Sequence, residues 1–282
     1  MNSTSNSPET RQFGGAATVW HHWRPEGELK GALFFLHGQG DFAQRYAEIA
    51  AIFTAEGYAF TTCDLPGHGL APGIRGHIPS FDIVKQVAEQ GLREARELAP
   101  HEHQLIGLCG PSVGGLLTLS VLPTLDTPPD FSWVSSPLLV AEAGQAPWKQ
   151  TLLRPLSHIL PFLTVSTGVT ADMCRVYLPG ESATKHLLFH NRISLSWGRT
   201  LIDLGQALRA HPERLPNETT YLLTQGGQDF VCPDKYWKEL VTHLSLEQLT
   251  TRHFPEARHE PFADTQADEV FTELKTWIRT LS

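Results

Sequence analysis

The sequence predicts an α/β fold, with one mostly parallel sheet carrying helices on both faces. Three observations predict it. Short continuous apolar runs recur, such as Leu33–Leu36 and Leu105–Cys109, as strands buried on both faces require. Between them lie stretches with helical apolar spacing: Tyr46, Ile49, Ala50 and Phe53, then Val84, Val87, Ala88, Leu92 and Ala95. The two patterns alternate along the chain, and that alternation specifies a parallel sheet.

The elements follow in order. Met1–Arg11, rich in Ser, Asn and Thr, reads as a frayed end. Ala17–Arg24 reads as the first strand, closed by Pro25, and Leu33–Leu36 as the second, ending in the loop His37-Gly38-Gln39-Gly40. The helix from Tyr46 to Phe53 has Gly57 where a C-terminal cap belongs. Tyr58–Cys63 is a strand and Asp64–Gly69 a loop, and the Val84–Ala95 helix comes next. Leu105–Cys109 is a strand that turns through Gly110–Gly115 into an apolar helix, stopped by Pro123, before a strand at Phe131–Val134.

From Ser136 to about Leu204 the alternation fails. That stretch holds prolines and short helical patterns but no good strand, so it reads as an inserted helical cap over residues 136–204. Residues 1–135 and 205–282 then form the core. Strands resume at Thr220–Leu223 and at Thr250–Phe254. The closing helix puts Ala267, Val270, Phe271, Leu274, Trp277, Ile278 and Leu281 on one stripe.

Composition narrows the function. A formal net charge of -8 argues against nucleic acid, whose phosphates need a basic patch. The four cysteines, Cys63, Cys109, Cys174 and Cys232, form no Cys-x-x-Cys pair, so neither a zinc site nor a disulfide framework is expected. No metal or other cofactor is expected. No secretory leader and no apolar run of membrane-spanning length is read, so a cytoplasmic location with reduced thiols is expected.

The chemistry centres on Gly110-Pro111-Ser112-Val113-Gly114, a Gly-x-Ser-x-Gly pentapeptide between an apolar strand and an apolar helix. Small residues on either side let strand and helix pack around a sharp turn, which lifts the Ser112 hydroxyl above the sheet at a helix N-terminus. A serine needs a base, and the base needs an orienting acid. Folds with this elbow run nucleophile, acid, histidine along the chain. Asp229, just past the Thr220 strand in Gln225-Gly226-Gly227-Gln228-Asp229, is the expected acid, with Asp126, Asp130, Asp203 and Asp234 as rivals. His259, in the loop between the last strand and last helix, is the expected base, and His253 is expected to be a wall or surface residue. Backbone amides of Gln39 and Val113 are the expected oxyanion donors, with His37 holding its loop by side-chain hydrogen bonds.

These motifs together resemble the monoacylglycerol lipase and lysophospholipase branch of the α/β-hydrolases. His37-Gly38-Gln39-Gly40, Asp64-Leu65-Pro66-Gly67-His68-Gly69, Arg75-Gly76-His77 with Ser80-Phe81, the Ser112 elbow, Asp229 and Ala257-Arg258-His259-Glu260 run in that family's order over nearly the whole chain. Where the family commonly has His before the serine, this chain has Pro111, which leaves the three catalytic candidates in place. The resemblance implies the α/β-hydrolase fold and ester hydrolysis through an acyl-enzyme, without cofactor. Asp64, Gly67, His68 and Arg75 read as scaffold, explained by loop glycines and buried ion pairs.

The insertion lies where that family carries its cap. Leu152, Leu156, Ile159 and Phe162 are the candidates for lining a passage for an acyl chain. Residues 137–204 hold six basic and four acidic side chains, against the acidic whole, which is a weak motif for transient contact with an anionic membrane surface. The expected partner is a small-molecule ester with an apolar chain. A thioesterase, peptidase or acyltransferase would use the same three groups. A ligand-binding protein without catalysis has no need of all three.

Overall fold

The computed structural model describes residues 8–143, 155–176 and 187–281. Eight strands form the central sheet: β1 (Glu9–Phe13), β2 (Ala16–Trp23), β3 (Gly31–Phe35), β4 (Tyr58–Asp64), β5 (Leu105–Pro111), β6 (Phe131–Ser135), β9 (Thr220–Gly226) and β10 (Leu249–Phe254). Their spatial order is β1-β2-β4-β3-β5-β6-β9-β10. β1 and β2 pair antiparallel, as do β2 and β4, and every later pairing is parallel.

Burial explains the apolar runs. All residues of β3, β4 and β6 are buried, because helices cover both faces. Successive side chains of β3 point to opposite sides. Phe34 joins the core under α2 (Phe81–Leu98), α3 (Ser112–Val121) and α5 (Leu195–Ala210), while Leu33 and Phe35 join the core under α1 (Ala47–Ala55) and α7 (Ala267–Thr280). α7 buries Val270, Leu274, Trp277 and Ile278, four residues of the predicted stripe.

Two expectations change. The supposed frayed end is in part an edge strand, since Glu9–Phe13 pairs with β2 through a turn in which Gly14 and Gly15 hold φ of +55° and +82°. β1 is polar because it lies at the sheet edge. Its Arg11 lies over the Trp20 ring at 4.2 Å and pairs with Glu94 of α2, contacts that apolar periodicity does not reveal. The second change is in the insertion. Between β6 and α5 it contains a helical turn over residues 155–159, the short α4 (Ala171–Cys174), and two strands where none was expected. These are β7 (Thr164–Ser166) and β8 (Arg192–Ser194), antiparallel partners. Three residues are too few to show a period. The expected boundary at Leu204 falls inside α5, which runs unbroken to Ala210 and buries Trp197, Leu201 and Leu208 in the main core. Between β9 and β10 lies α6 (Asp234–His243). All four cysteines are free and buried.

Candidate active site

The elbow is a steric construction. Ser112 follows β5 directly and opens α3 with φ of +52°, a left-handed conformation that costs a side-chain-bearing residue about 1–2 kcal/mol. The flanking glycines make it possible. A Cβ on Gly114 would stand 1.9 Å from the Leu36 carbonyl oxygen, and one on Gly110 would stand 2.6 Å from the same atom. Strand β3, strand β5 and helix α3 therefore meet at a distance only glycine permits, and the serine is forced upward.

The other two groups come from the loops that follow β9 and β10. His259 Nε2 lies 2.8 Å from Ser112 Oγ, and His259 Nδ1 lies 2.8 Å from Asp229 Oδ2. The parallel register of β9 and β10 sets the two loops side by side, and they are tied by Gly227 N–H to the Phe254 carbonyl and Gln228 N–H to the Ala257 carbonyl. Asp229 is fixed in turn: its Oδ1 accepts from the amides of Val231 (2.8 Å) and Cys232 (2.7 Å), and its Oδ2 from Gln225 Nε2 at 3.0 Å. Both Asp229 and His259 are buried. Burial alone favours the neutral imidazole, but the Asp229 carboxylate outweighs it and holds the His259 pKa well above the ordinary value.

The rivals are engaged elsewhere. Asp234 binds Lys238 Nζ at 2.5 Å and His253 Nε2 at 3.2 Å, so one contact accounts for both the alternative acid and the alternative base. Asp130 accepts from the Ile106 amide at 2.7 Å. Asp203 is exposed on α5, near Arg199.

Gly38 brings the expected oxyanion loop to the nucleophile, since a Cβ there would sit 3.5 Å from Ser112 Cβ. Val113 occupies the first turn of α3, where amides have no acceptor within the helix. The Gln39 side chain spans to the insertion, accepting from Trp197 Nε1 at 3.0 Å and donating to the Arg192 carbonyl at 2.9 Å. His37 holds the loop from beneath: its Nε2 accepts from the Leu65 amide at 3.0 Å and its Nδ1 donates to the Gly38 carbonyl at 2.7 Å. Asp64 accepts from the amides of Ala43 and Leu70, as a scaffold residue does. Arg75 departs from the ion-pair expectation, because it donates to the carbonyls of Gly69 and Ala71.

Among the described residues, one group has metal-ligating chemistry: Asp229, Cys232 and His259, with one donor atom of each within 4.8 Å of the others. Asp229 and His259 already hydrogen-bond to each other, and burial pushes the Cys232 thiol pKa up, which keeps it protonated.

The cap candidates stand apart from this cluster. Leu152 lies outside the described residues. Leu156, Ile159 and Phe162 are 37%, 73% and 60% exposed, so they present an apolar surface on the insertion. Phe162 packs edge-on against His77. Sequence reasoning missed a cluster beside His259, formed by Asp41, Arg45, Tyr46 and Glu260. Its only local signal was the four-residue spacing of Asp41 and Arg45 at the start of a helix.

Comparison with known proteins shows the family to which this fold belongs. The chain is 25% identical to a monoacylglycerol lipase of Mycolicibacterium smegmatis, over 99% of this chain and 98% of that protein. It is 25% identical to the monoglyceride lipase of Rattus norvegicus, over 91% and 85% of the two chains. Among solved structures it resembles the Paleococcus ferrophilus monoacylglycerol lipase, with a TM-score of 0.79, 24% identity and coverage of 98% and 100%. A family model described as serine aminopeptidase, S33, matches residues 27–266, and the chain belongs to that family of α/β-hydrolases.

Proposed function

We propose that this chain is a serine carboxylic ester hydrolase that cleaves monoacylglycerols, lysophospholipids or similar single-chain esters through an acyl-enzyme. The observation that carries the reading is the continuous relay from Asp229 Oδ2 through His259 to Ser112 Oγ, with both contacts at 2.8 Å. In this mechanism His259 Nε2 takes the Ser112 proton as Oγ attacks the ester carbonyl, and Asp229 holds the ring and stabilises the imidazolium. The amides of Gln39 and Val113 receive the oxyanion. His259 then protonates the leaving alcohol. A water, deprotonated by the same base, releases the acid.

The lipase names of the relatives support the choice of ester. The family description favours a second reading, an aminopeptidase on the same relay. We propose further that residues 136–204 act as a cap over the site, with Leu152, Leu156, Ile159 and Phe162 meeting the acyl chain. Among the described residues no helix is long and apolar enough to cross a membrane. The exposed leucines and phenylalanines of the insertion support transient contact with a lipid surface as the route we assign to substrate capture.

The test is a turnover screen over esters, thioesters and peptide amides of graded chain length, run with and without EDTA. Ester turnover that is highest for single-chain lipids and indifferent to EDTA is expected. Faster release of an N-terminal amino acid than of any acyl chain would overturn the ester reading in favour of the aminopeptidase.

A further inference from the structure

The residue after the base makes an unusual connection. Arg45 Nη1 lies 2.9 Å from Glu260 Oε1, and Nη2 meets Glu260 Oε2, a two-pronged contact between residues 215 positions apart. The same Nη1 lies 2.6 Å from Asp41 Oδ2. Asp41 Oδ2 also accepts from the Tyr46 hydroxyl at 2.7 Å, and the Gly38 amide donates to the Tyr46 oxygen at 3.4 Å. On the other side the Glu260 amide donates to the Cys174 carbonyl of α4 at 2.9 Å. One guanidinium therefore links the loop that carries His259 to the loop expected to carry the oxyanion donor.

A planar guanidinium with two prongs fixes orientation as well as distance, which an ammonium does not. The cluster is only partly wet: the Arg45, Asp41 and Glu260 side chains are 22%, 5% and 12% exposed. Two carboxylates converge here on one cation, so without the cation they repel each other and push the two loops apart. Misplacing a catalytic group by about 1 Å can cost on the order of 100-fold in rate.

We propose that Arg45 is a positioning residue: through Glu260 and Asp41 it sets the placement of His259 relative to the oxyanion loop at Gly38 and Gln39. This inference rests on the ester-hydrolase reading of Ser112. The charged and titratable groups around His259 are Asp229 and Cys232 on the β9–α6 loop, Cys174 on α4, and the Glu260, Arg45 and Asp41 cluster. Loss of Arg45 leaves two negative charges beside the base, which favours the imidazolium and moves the acid limb of activity to higher pH. Loss of the Glu260 charge moves that limb to lower pH.

The test compares wild type with Arg45→Met, Arg45→Lys and Glu260→Gln, all checked by circular dichroism, in kcat, KM and pH profile on a short p-nitrophenyl ester. Arg45→Met is expected to lower kcat by roughly 10- to 100-fold, to change KM by less than about threefold, and to shift the acid limb upward. Arg45→Lys should recover part of the rate, and Glu260→Gln should lose less and shift the limb downward. Folded Arg45→Met with wild-type kcat and an unmoved acid limb overturns the proposal. Should Arg45→Met not fold, Glu260→Gln decides, and an unchanged rate and profile in that variant overturns it equally. Wild type that neither turns over esters nor reacts with a fluorophosphonate at Ser112 refutes the ester-hydrolase reading instead, and that result is separate from any variant.

Discussion

Ser112 Oγ and His259 Nε2 stand 2.8 Å apart, although 147 residues separate them in the chain. The sheet closes that gap. β5 delivers the serine, and β10, three positions along the sheet, delivers the histidine from the same carboxyl-terminal edge. Parallel strands with crossover helices put every such loop at one edge, so groups far apart in sequence converge there.

Ser112 should be the single residue labelled stoichiometrically by a fluorophosphonate, as read by peptide mass spectrometry. Ser112→Ala should keep the fold and lower kcat by up to about a millionfold, since the three groups act as a unit. Because Ser112 holds φ of +52°, Ser112→Gly should be more stable than Ser112→Ala by about 1 kcal/mol in chemical denaturation. Label on a different residue of the folded protein would reject Ser112 as nucleophile.

Asp229→Asn should lower kcat by about four orders of magnitude, because the amide cannot hold the correct tautomer of the base. Asp234→Asn should lose little, since Asp234 serves Lys238 and His253 on the rim of α6. His259→Ala and His253→Ala should divide in the same way. A dead Asp234→Asn beside an active Asp229→Asn would reverse the assignment of the acid.

The pH profile follows from the His259 environment. Buried beside Asp229, its imidazole titrates well above 6.5. Catalysis needs the neutral ring, so kcat/KM should fall as pH drops through that raised value, with the acid limb on the alkaline side of 6.5. For stability the sign is opposite. The protonated ring with Asp229 contributes fully below the ordinary pKa, and that contribution fades as pH rises through the raised one. In Asp229→Asn the residual activity should titrate at lower pH than in wild type. An acid limb that does not move in that variant would show that Asp229 does not set the base.

How much of this was legible in the sequence depended on what kind of physics held each part. The elbow was legible because its constraint is local and steric: Gly110 and Gly114 are needed within two residues of Ser112. Strands β3 and β5 were legible because burial on both faces leaves a short, nearly continuous apolar run. β1 was not, since an edge strand is held by backbone pairing and by Arg11 lying over Trp20, neither of which has a period. β7 and β8 are three residues each and too short for alternation to register. The link from Arg45 to Glu260 was invisible for a different reason, because only the folded sheet brings the ends of the chain together.

The last prediction concerns the insertion. Ile159 and Phe162 are 73% and 60% exposed, on an insertion joined to the loop proposed to hold the oxyanion donor through Trp197 and Gln39. Side chains this apolar and this exposed, linked to the site, suit a surface that receives an acyl chain. Each buried methylene contributes at most about 0.8 kcal/mol, so kcat/KM should rise several-fold for each added carbon pair until the passage is full. The proposed cap would admit one chain more easily than three, so triacylglycerols should be poor substrates. Leu156→Asp, Ile159→Asp and Phe162→Asp should therefore reduce turnover of a long-chain monoester far more than that of an acetate ester. Since these side chains lie outside both sheet cores, the variants should unfold within a few degrees of wild type. Steady-state kinetics on a chain-length series reads the difference directly. Equal losses on acetate and long-chain esters, in protein with an unchanged melting temperature, would remove the insertion from substrate selection.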